Sequence, residues 1–237
     1  MGTHTTRLTG RHEVAQGTLA FTLDKPAGFT FRPGQAFDVT LPGAPGSGND
    51  VRHAFSIVSA PHEDHLAFAT RMRDSAYKRT LAALPVGAPL EIDGPFGTLT
   101  LHGTRPGVLI AGGIGITPFM SMLRDAAHRQ GSRPLALLYS NRRPEDTAFW
   151  PELQALARRL PALRLEATMT GMAQSSAPWD GPTGLIDAAF VQRAGQGLAA
   201  PVYYVSGPPA MVRAMHETLR TAGVDDDDVR SEEFYGY

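Results

Sequence analysis

The stretch Gly107-Val-Leu-Ile-Ala-Gly-Gly-Ile-Gly-Ile-Thr-Pro-Phe-Met-Ser-Met122 decides the fold. Val108–Ala111 is an unbroken apolar run of the kind that suits a strand buried on both faces. Gly112, Gly113 and Gly115 follow at once, where the backbone has to turn sharply and let something approach closely. Thr117 then stands where a helix is capped, and Pro118 at the first helical position, where its missing N–H costs nothing. Behind them Phe119, Met122, Leu123 and Ala126 recur at helical spacing. A strand, a glycine turn and a helix N-terminus aim free N–H groups and the positive end of the dipole at one point, a ready site for phosphate.

Downstream of this unit the texture is βαβ. Strands are predicted at Val108–Ala111, Leu135–Tyr139, Leu163–Met169 and Val202–Val205, and helices at Pro118–Gln130, Glu145–Leu160, Ile186–Arg193 and Pro209–Ala222. The alternation implies a doubly wound α/β domain with a parallel sheet, over residues 107–237. Ala173–Gly184 reads as a polar loop. Upstream, residues 1–102 read as short strands with turn punctuation: Leu19–Leu23, Phe37–Leu41, Arg52–Ser59, Leu66–Met72, Leu90–Ile92 and Leu99–Leu101. Pro42–Asn49 is a Gly/Pro/Ser-rich loop, and Ser75–Leu84 forms one short helix with Leu81 and Leu84 inward. Many short strands at regular spacing imply an antiparallel β-barrel.

Composition sets outer limits. The 237 residues suffice for two domains, apolar content is ordinary at 42% and net charge is −1, so nothing calls for nucleic acid or an anionic membrane. No run of 18 apolar residues and no charged-then-apolar leader is visible, which leaves no membrane span and makes the cytoplasm the expected compartment. With 0 cysteines, the chain has no disulfide, no thiol catalyst and no cysteine-ligated iron–sulfur cluster of its own.

The string Gly-Gly-Ile-Gly-Ile-Thr-Pro resembles the nicotinamide-side loop of the ferredoxin–NADP reductase family, in which Gly-x-Gly-x-Thr-Pro follows the first strand of the pyridine-nucleotide domain. A barrel followed by a doubly wound half is that family's domain order, so the resemblance covers nearly the whole chain. It implies a flavoprotein that takes hydride from NADPH or NADH at flavin N5 and passes electrons to a separate acceptor. That acceptor is a small carrier such as ferredoxin or flavodoxin, an oxygenase component, or a free flavin or quinone. A regulatory or nucleotide-sensing subunit of the same fold is the alternative.

The resemblance also assigns residues. Arg52-His-Ala-Phe-Ser56 is similar to the flavin motif Arg-x-Tyr/Phe-Ser, with Phe55 stacked on the isoalloxazine, Ser56 at its reactive edge and an arginine on the pyrophosphate. Arg52 stands one residue early and His53 takes the usual Arg position, so either His53 assumes the role or a bulge brings Arg52 back. The second flavin segment, Thr70-Arg-Met-Arg-Asp-Ser-Ala-Tyr-Lys78, lacks the expected glycine. It offers Thr70, Met72, the cap Ser75 and the cations Arg71, Arg73, Lys78 and Arg79, and favours FAD over FMN less firmly than a full motif would. Tyr203-Tyr-Val-Ser206-Gly207-Pro208-Pro-Ala-Met211 resembles the family's Cys-Gly-Pro-Pro-x-Met strand end beside the nicotinamide, with serine for cysteine. Ser140, Arg142 and Arg143 end the second parallel strand, where such folds read the adenosine ribose; arginines there lean to NADPH. In the tail, Glu233 is placed to relay a proton toward N5, and Phe234 or Tyr237 to cover the nicotinamide site. The Asp225–Asp228 run reads as a solvated turn.

Overall fold

The computed structural model describes residues 2–41 and 51–235, so the Pro42–Asn49 loop and Tyr237 lie outside the described residues. The first domain is an antiparallel sheet built from β1 (Gly2–Ala15), β2 (Thr18–Asp24), β3 (Ala36–Thr40), β4 (Arg52–Ser56), β5 (His65–Arg71) and β6 (Pro89–Phe96), in the order β4-β3-β6-β1-β2-β5. Its edges β4 and β5 come back beside each other, which closes the barrel. Alternation along each strand sends Leu23, Phe37, Leu66 and Phe68 inward. Phe21 and Phe68 face each other across β2 and β5 with ring centroids 5.1 Å apart. The short helix α1 (Ala76–Ala83) lays Tyr77 and Leu81 into this interior, and the Tyr77 hydroxyl donates to the Val39 carbonyl at 2.9 Å.

The second domain is a parallel sheet of β7 (Gly107–Gly112), β8 (Leu135–Asn141), β9 (Leu163–Met169), β10 (Val202–Gly207) and β11 (Val229–Glu233), in the order β11-β10-β7-β8-β9. The helices are α2 (Thr117–His128), α3 (Trp150–Arg159), α4 (Ala188–Gly195) and α5 (Pro209–Thr221). Leu109, Leu137 and Tyr139 pack on one face with Phe119, Leu123 and Leu153, while Val108, Ile110 and Leu138 pack on the other with Phe190, Val212 and Leu219. Both faces are therefore covered, as the unbroken apolar strands require. Among the described residues no helix is long and apolar enough to cross a membrane.

The domains share a core layer. Ala20, Val58, Ala67, Ala69 and Leu99 of the first region join the cluster built on α2 and α3. Helix α2 runs along this seam. Ser121 donates to the Ser59 carbonyl at 2.7 Å, and Arg124 donates to the Val58 carbonyl at 3.3 Å while gripping Glu152 at 2.6 and 2.9 Å. At its last turn His128 stacks on His62, centroids 3.6 Å apart and planes 8° from parallel.

Several elements differ from expectation. β1 was not anticipated, because its sequence is polar and among its side chains only Thr6 and Leu8 are buried. β11 adds a fifth parallel strand where a tail was expected; an edge strand rich in charge carries little apolar signal. Leu99–Leu101 is irregular, its buried Leu99 serving the shared core and its carbonyl lying where a Cβ on Gly34 would sit. Helix α3 starts at Trp150 rather than Glu145, since Pro144–Asp146 form a 3₁₀ turn and Phe149 is left-handed at φ 60°. Thr117 does not cap α2: the 3₁₀ turn Gly113–Ile116 runs straight into the helix, and the Thr117 hydroxyl donates back to the Ile114 carbonyl at 3.0 Å.

Candidate active site

A cleft of about 490 Å³ opens where β4 meets the C-terminal segment, lined from the barrel by Asp38, Arg52, His53, Phe55 and Ser56. Thr117, Glu232, Glu233 and Phe234 line it from the second domain. The β3–β4 pairing runs from Ala36↔Ser56 to Thr40↔Arg52 without a shift, so no bulge brings Arg52 into the place of His53. Arg52 instead binds Asp38 at 2.6 Å and Asp93 at 3.1 Å, so a phosphate would have to compete with two carboxylates. His53 is half-buried beside Tyr77, centroids 4.3 Å apart. Phe55 borders the cleft but is also part of the barrel core, 4.6 Å from the Phe68 ring. Ser56 is buried, and its hydroxyl has no hydrogen-bond partner among the described residues.

The second flavin segment divides. Thr70 is fully buried, and its hydroxyl has no partner among the described residues. Ser75 caps α1, accepting from the Lys78 N–H at 3.2 Å. Met72 donates its N–H to the Gly17 carbonyl at 2.7 Å, and the Lys78 ammonium donates to the Arg71 carbonyl at 2.7 Å. Burial and the nearby Arg73 pull the Lys78 pKa down. Arg71 and Arg73 do not line this first cleft and border a different one.

That second cleft, about 600 Å³, lies across the C-terminal ends of β7, β8 and β10 and is lined by Gly112, Gly113, Ser140, Arg142, Pro208 and Met211, with Arg71 and Arg73 from the barrel. Strand order reverses between β7 and β10, the switch point at which parallel sheets take ligands. Glycine is required at position 115 for contact as much as for shape, since a Cβ there would lie 2.2 Å from the Ser206 carbonyl oxygen; one on Gly112 would meet the movable Met211 side chain. Pro118 is buried in the first turn of α2. Arg143 is turned to Asp146, donating to it at 3.0 Å from both Nε and Nη2, and to the Gln16 side chain at 3.1 Å. Arg142 is exposed and borders the cleft.

Between the clefts stands Ser206, fully buried, its hydroxyl without a partner among the described residues. It is in register with Glu232 on β11. Sequence reasoning singled out Glu233, and the structure adds its neighbour. Glu232 Oε2 is buried and has no partner among the described residues, and burial pushes its carboxyl up to about 7. Glu233 also borders the cleft, but it accepts from the Tyr235 hydroxyl. The Phe234 N–H donates to the Gly207 carbonyl at 2.9 Å, which ties the segment to the end of β10. Had β11 been read as a strand, its pairing with β10 would have set Glu232 beside Ser206. A flat heteroaromatic ring with donors and acceptors along one edge fits these orphaned groups and the aromatic walls Phe55, Phe96 and Phe234.

A barrel and a parallel sheet meeting over two adjoining clefts define a two-domain oxidoreductase fold. Residues 109–217 match the family model of the oxidoreductase NAD-binding domain. Ferredoxin–NADP reductase B of Sorangium cellulosum is 33% identical over 202 residues, covering 81% of this chain and 80% of that protein. The chain belongs to the ferredoxin–NADP reductase family. The glycine betaine monooxygenase reductase subunit of Chromohalobacter salexigens is 28% identical over 92% of this chain, which spans only 60% of that protein's length. The fold of a Neisseria gonorrhoeae ferredoxin NADP+ reductase, solved with bound FAD and NADP, superposes with a TM-score of 0.80 at 21% identity, covering 98% of each chain.

Proposed function

We propose that this chain is an NAD(P)H-dependent flavoprotein reductase that delivers electrons to a separate acceptor, an oxygenase component or a small carrier such as ferredoxin. The observation that carries the reading is the set of buried polar groups without a partner among the described residues: Ser56 and Glu232 on the first cleft, and Ser206 in register with Glu232. FAD, when bound, supplies the hydride acceptor and the splitting of an electron pair into single electrons. The rest is the protein's. Ser56 and Thr117 orient the ring edge, the N–H groups at Gly113–Ile116 face an anion, and Ser206 holds the nicotinamide side. Glu232, protonated near neutrality, is able to give or take a proton at its Oε2. Phe234 excludes water from the cleft until a nicotinamide ring takes its place.

Among the relatives, the reductase subunits serve oxygenases by name, and a chain without cysteine needs an external carrier or acceptor in the same way. The cytoplasm, where reduced nicotinamide nucleotide is generated, is the compartment such a function calls for. The absorbance spectrum of the purified protein tests the reading. Flavin bands bleached anaerobically by NADPH or NADH are expected. A protein that binds FAD without being reduced would be a nucleotide-sensing subunit, and one that binds no flavin would overturn the reading altogether.

A further inference from the structure

A further set of ties joins the domains besides those made by α2. Asp146, in the 3₁₀ turn after β8, is buried. Its carboxylate accepts from Nε and Nη2 of Arg143 at 3.0 Å each, and from Nη2 of Arg71, the last residue of β5, at 3.1 Å. The Arg143 hydrogen bonds, with the charges of Arg71 and Arg143, hold its carboxyl below the usual range. The hairpin between β1 and β2 reaches the same segment. The Gln16 N–H donates to the Glu145 carbonyl at 2.9 Å, and the Phe149 N–H donates to the Val14 carbonyl at 3.3 Å. Arg143 Nη2 also donates to Gln16 Oε1 at 3.1 Å. Two elements of the barrel thus converge on residues 143–149. Within that segment Phe149 is held left-handed at φ 60°, a conformation that a bulky residue keeps only where its surroundings over-determine it.

Arg71 stands two residues beyond Ala69, which lines the flavin-side cleft. Asp146 follows β8, the neighbour of β7, whose end turns through Gly113–Ile116 to Thr117 on that same cleft. A tie between the two joins the wall of one cleft to the framework of the other. We propose that Asp146 is an interdomain clamp, a positioning residue that sets how closely a nicotinamide in the second cleft approaches a flavin in the first. The two ligands rest on the function proposed above; the clamp is a property of the chain without them. Hydride transfer needs its reacting atoms about 3–3.5 Å apart, and a misplacement of about 1 Å can cost about 10²-fold in rate. An ion pair in open water is too weak and too mobile to set such a distance. This carboxylate is withdrawn from solvent, held bidentately by one arginine of its own domain, and bonded to a second from the barrel. That geometry fixes direction as well as charge.

Amide hydrogen exchange of the flavin-loaded protein reads the clamp directly, because the Gln16 and Phe149 N–H groups cross the seam beside it. In Arg71→Gln and in Asp146→Asn both amides should exchange about tenfold faster than in the parent. The Val58 N–H, bonded within the barrel to the Ala67 carbonyl at 2.7 Å, should keep its rate. In anaerobic stopped flow with saturating NADPH or NADH, the limiting rate of flavin reduction should fall about tenfold in both variants, with the flavin spectrum unchanged. In Asp146→Asn the half-saturating nucleotide concentration should not rise, since the substitution removes negative charge from the cleft's border. Arg71→Lys, which keeps the charge without the fork, should recover part of both effects. The double variant should be no slower than the slower single one, because each cuts the same tie. Parental exchange at Gln16 and Phe149 overturns the clamp. Faster exchange there with a parental limiting rate overturns its positioning role. Faster exchange at Val58 as well, with a shifted flavin spectrum, makes the residues merely structural and overturns the proposal too. A parent whose flavin is reduced by neither nucleotide overturns the functional reading beneath, while its exchange rates still decide the clamp.

Discussion

Replacing Glu232 with glutamine should stabilise the protein above neutral pH while impairing it as a catalyst. The Glu232 carboxyl is buried without a hydrogen bond to one of its oxygens, and burial raises its pKa from 4.5 to about 7. In the unfolded chain this group releases its proton near the lower value, whereas the folded protein keeps it until the higher one. Between the two the folded state binds more protons, so stability falls as pH rises through that window, and the full penalty is present above about 7. At about 1.4 kcal/mol per pH unit the ceiling is about 3 kcal/mol, and partial solvent access brings the expected figure to about 2 kcal/mol. Glu232→Gln keeps the shape and removes the charge. Unfolding of the flavin-stripped parent and variant, followed from pH 4 to 8.5, should give curves that coincide at the acid end. They should diverge to about 2 kcal/mol at the alkaline end, or a midpoint raised by about 4–8 °C for a chain of this size. In the loaded enzyme, the pH profile of the limiting rate of flavin reduction should lose its inflection near neutrality. A stability difference that stays constant across the range would refute the reasoning, because the carboxyl would then titrate alike in both states.

Gly115→Ala should destabilise the protein by more than about 2 kcal/mol, read from urea unfolding, since its Cβ would lie 2.2 Å from the Ser206 carbonyl and neither backbone can retreat. Ser206→Cys should sustain flavin reduction in anaerobic stopped flow at least as well as the parent. It also exchanges a buried, unpartnered hydroxyl for a less polar group, so no loss of stability beyond about 1 kcal/mol is expected. Phe55→Ala should cost about 3–5 kcal/mol through the barrel core. Phe55→Leu should fold well and lose flavin affinity by the stacking contribution of about 0.5–1.5 kcal/mol; unchanged flavin affinity in the leucine variant would remove Phe55 from the ring's surroundings.

What was legible in the sequence was local. The apolar run Val108–Ala111 and the glycines after it specify a two-face-buried strand and a tight turn from adjacent residues alone, and both are present. The alternation that predicts a barrel survives in β3, where Phe37 and Val39 are buried and Asp38 and Thr40 less so, whereas β5 is buried on both faces, between the barrel interior and the core shared with α2. β1 and β11 escaped for the converse reason: their side chains are mostly in contact with water, and hydrogen bonds to neighbours far along the chain hold them in place. The arginines escaped by a different route. Arg52 and Arg71 meet carboxylates as far away as Asp93 and Asp146, so their availability to a ligand is decided by tertiary pairing. Glu232 went unrecognised beside Glu233 because choosing between neighbours in a strand requires knowing which face is which.

Helix α2 is fastened along its whole length. Thr117 at one end borders the flavin-side cleft, Ser121 and Arg124 hold the Val58–Ser59 backbone, and His128 lies flat on His62. The helix is thus tied to the opposing domain at three levels, and on the function proposed above it serves as the fixed partition between the two clefts. On the function proposed above, passage of a nicotinamide ring is then governed at the C-terminal segment, where the Phe234 N–H is bonded to the Gly207 carbonyl. The barrier to be crossed is the displacement of one side chain rather than the drag of a whole domain through solvent. The hydride-transfer phase of such a protein should run at the same speed in buffer and in concentrated sucrose.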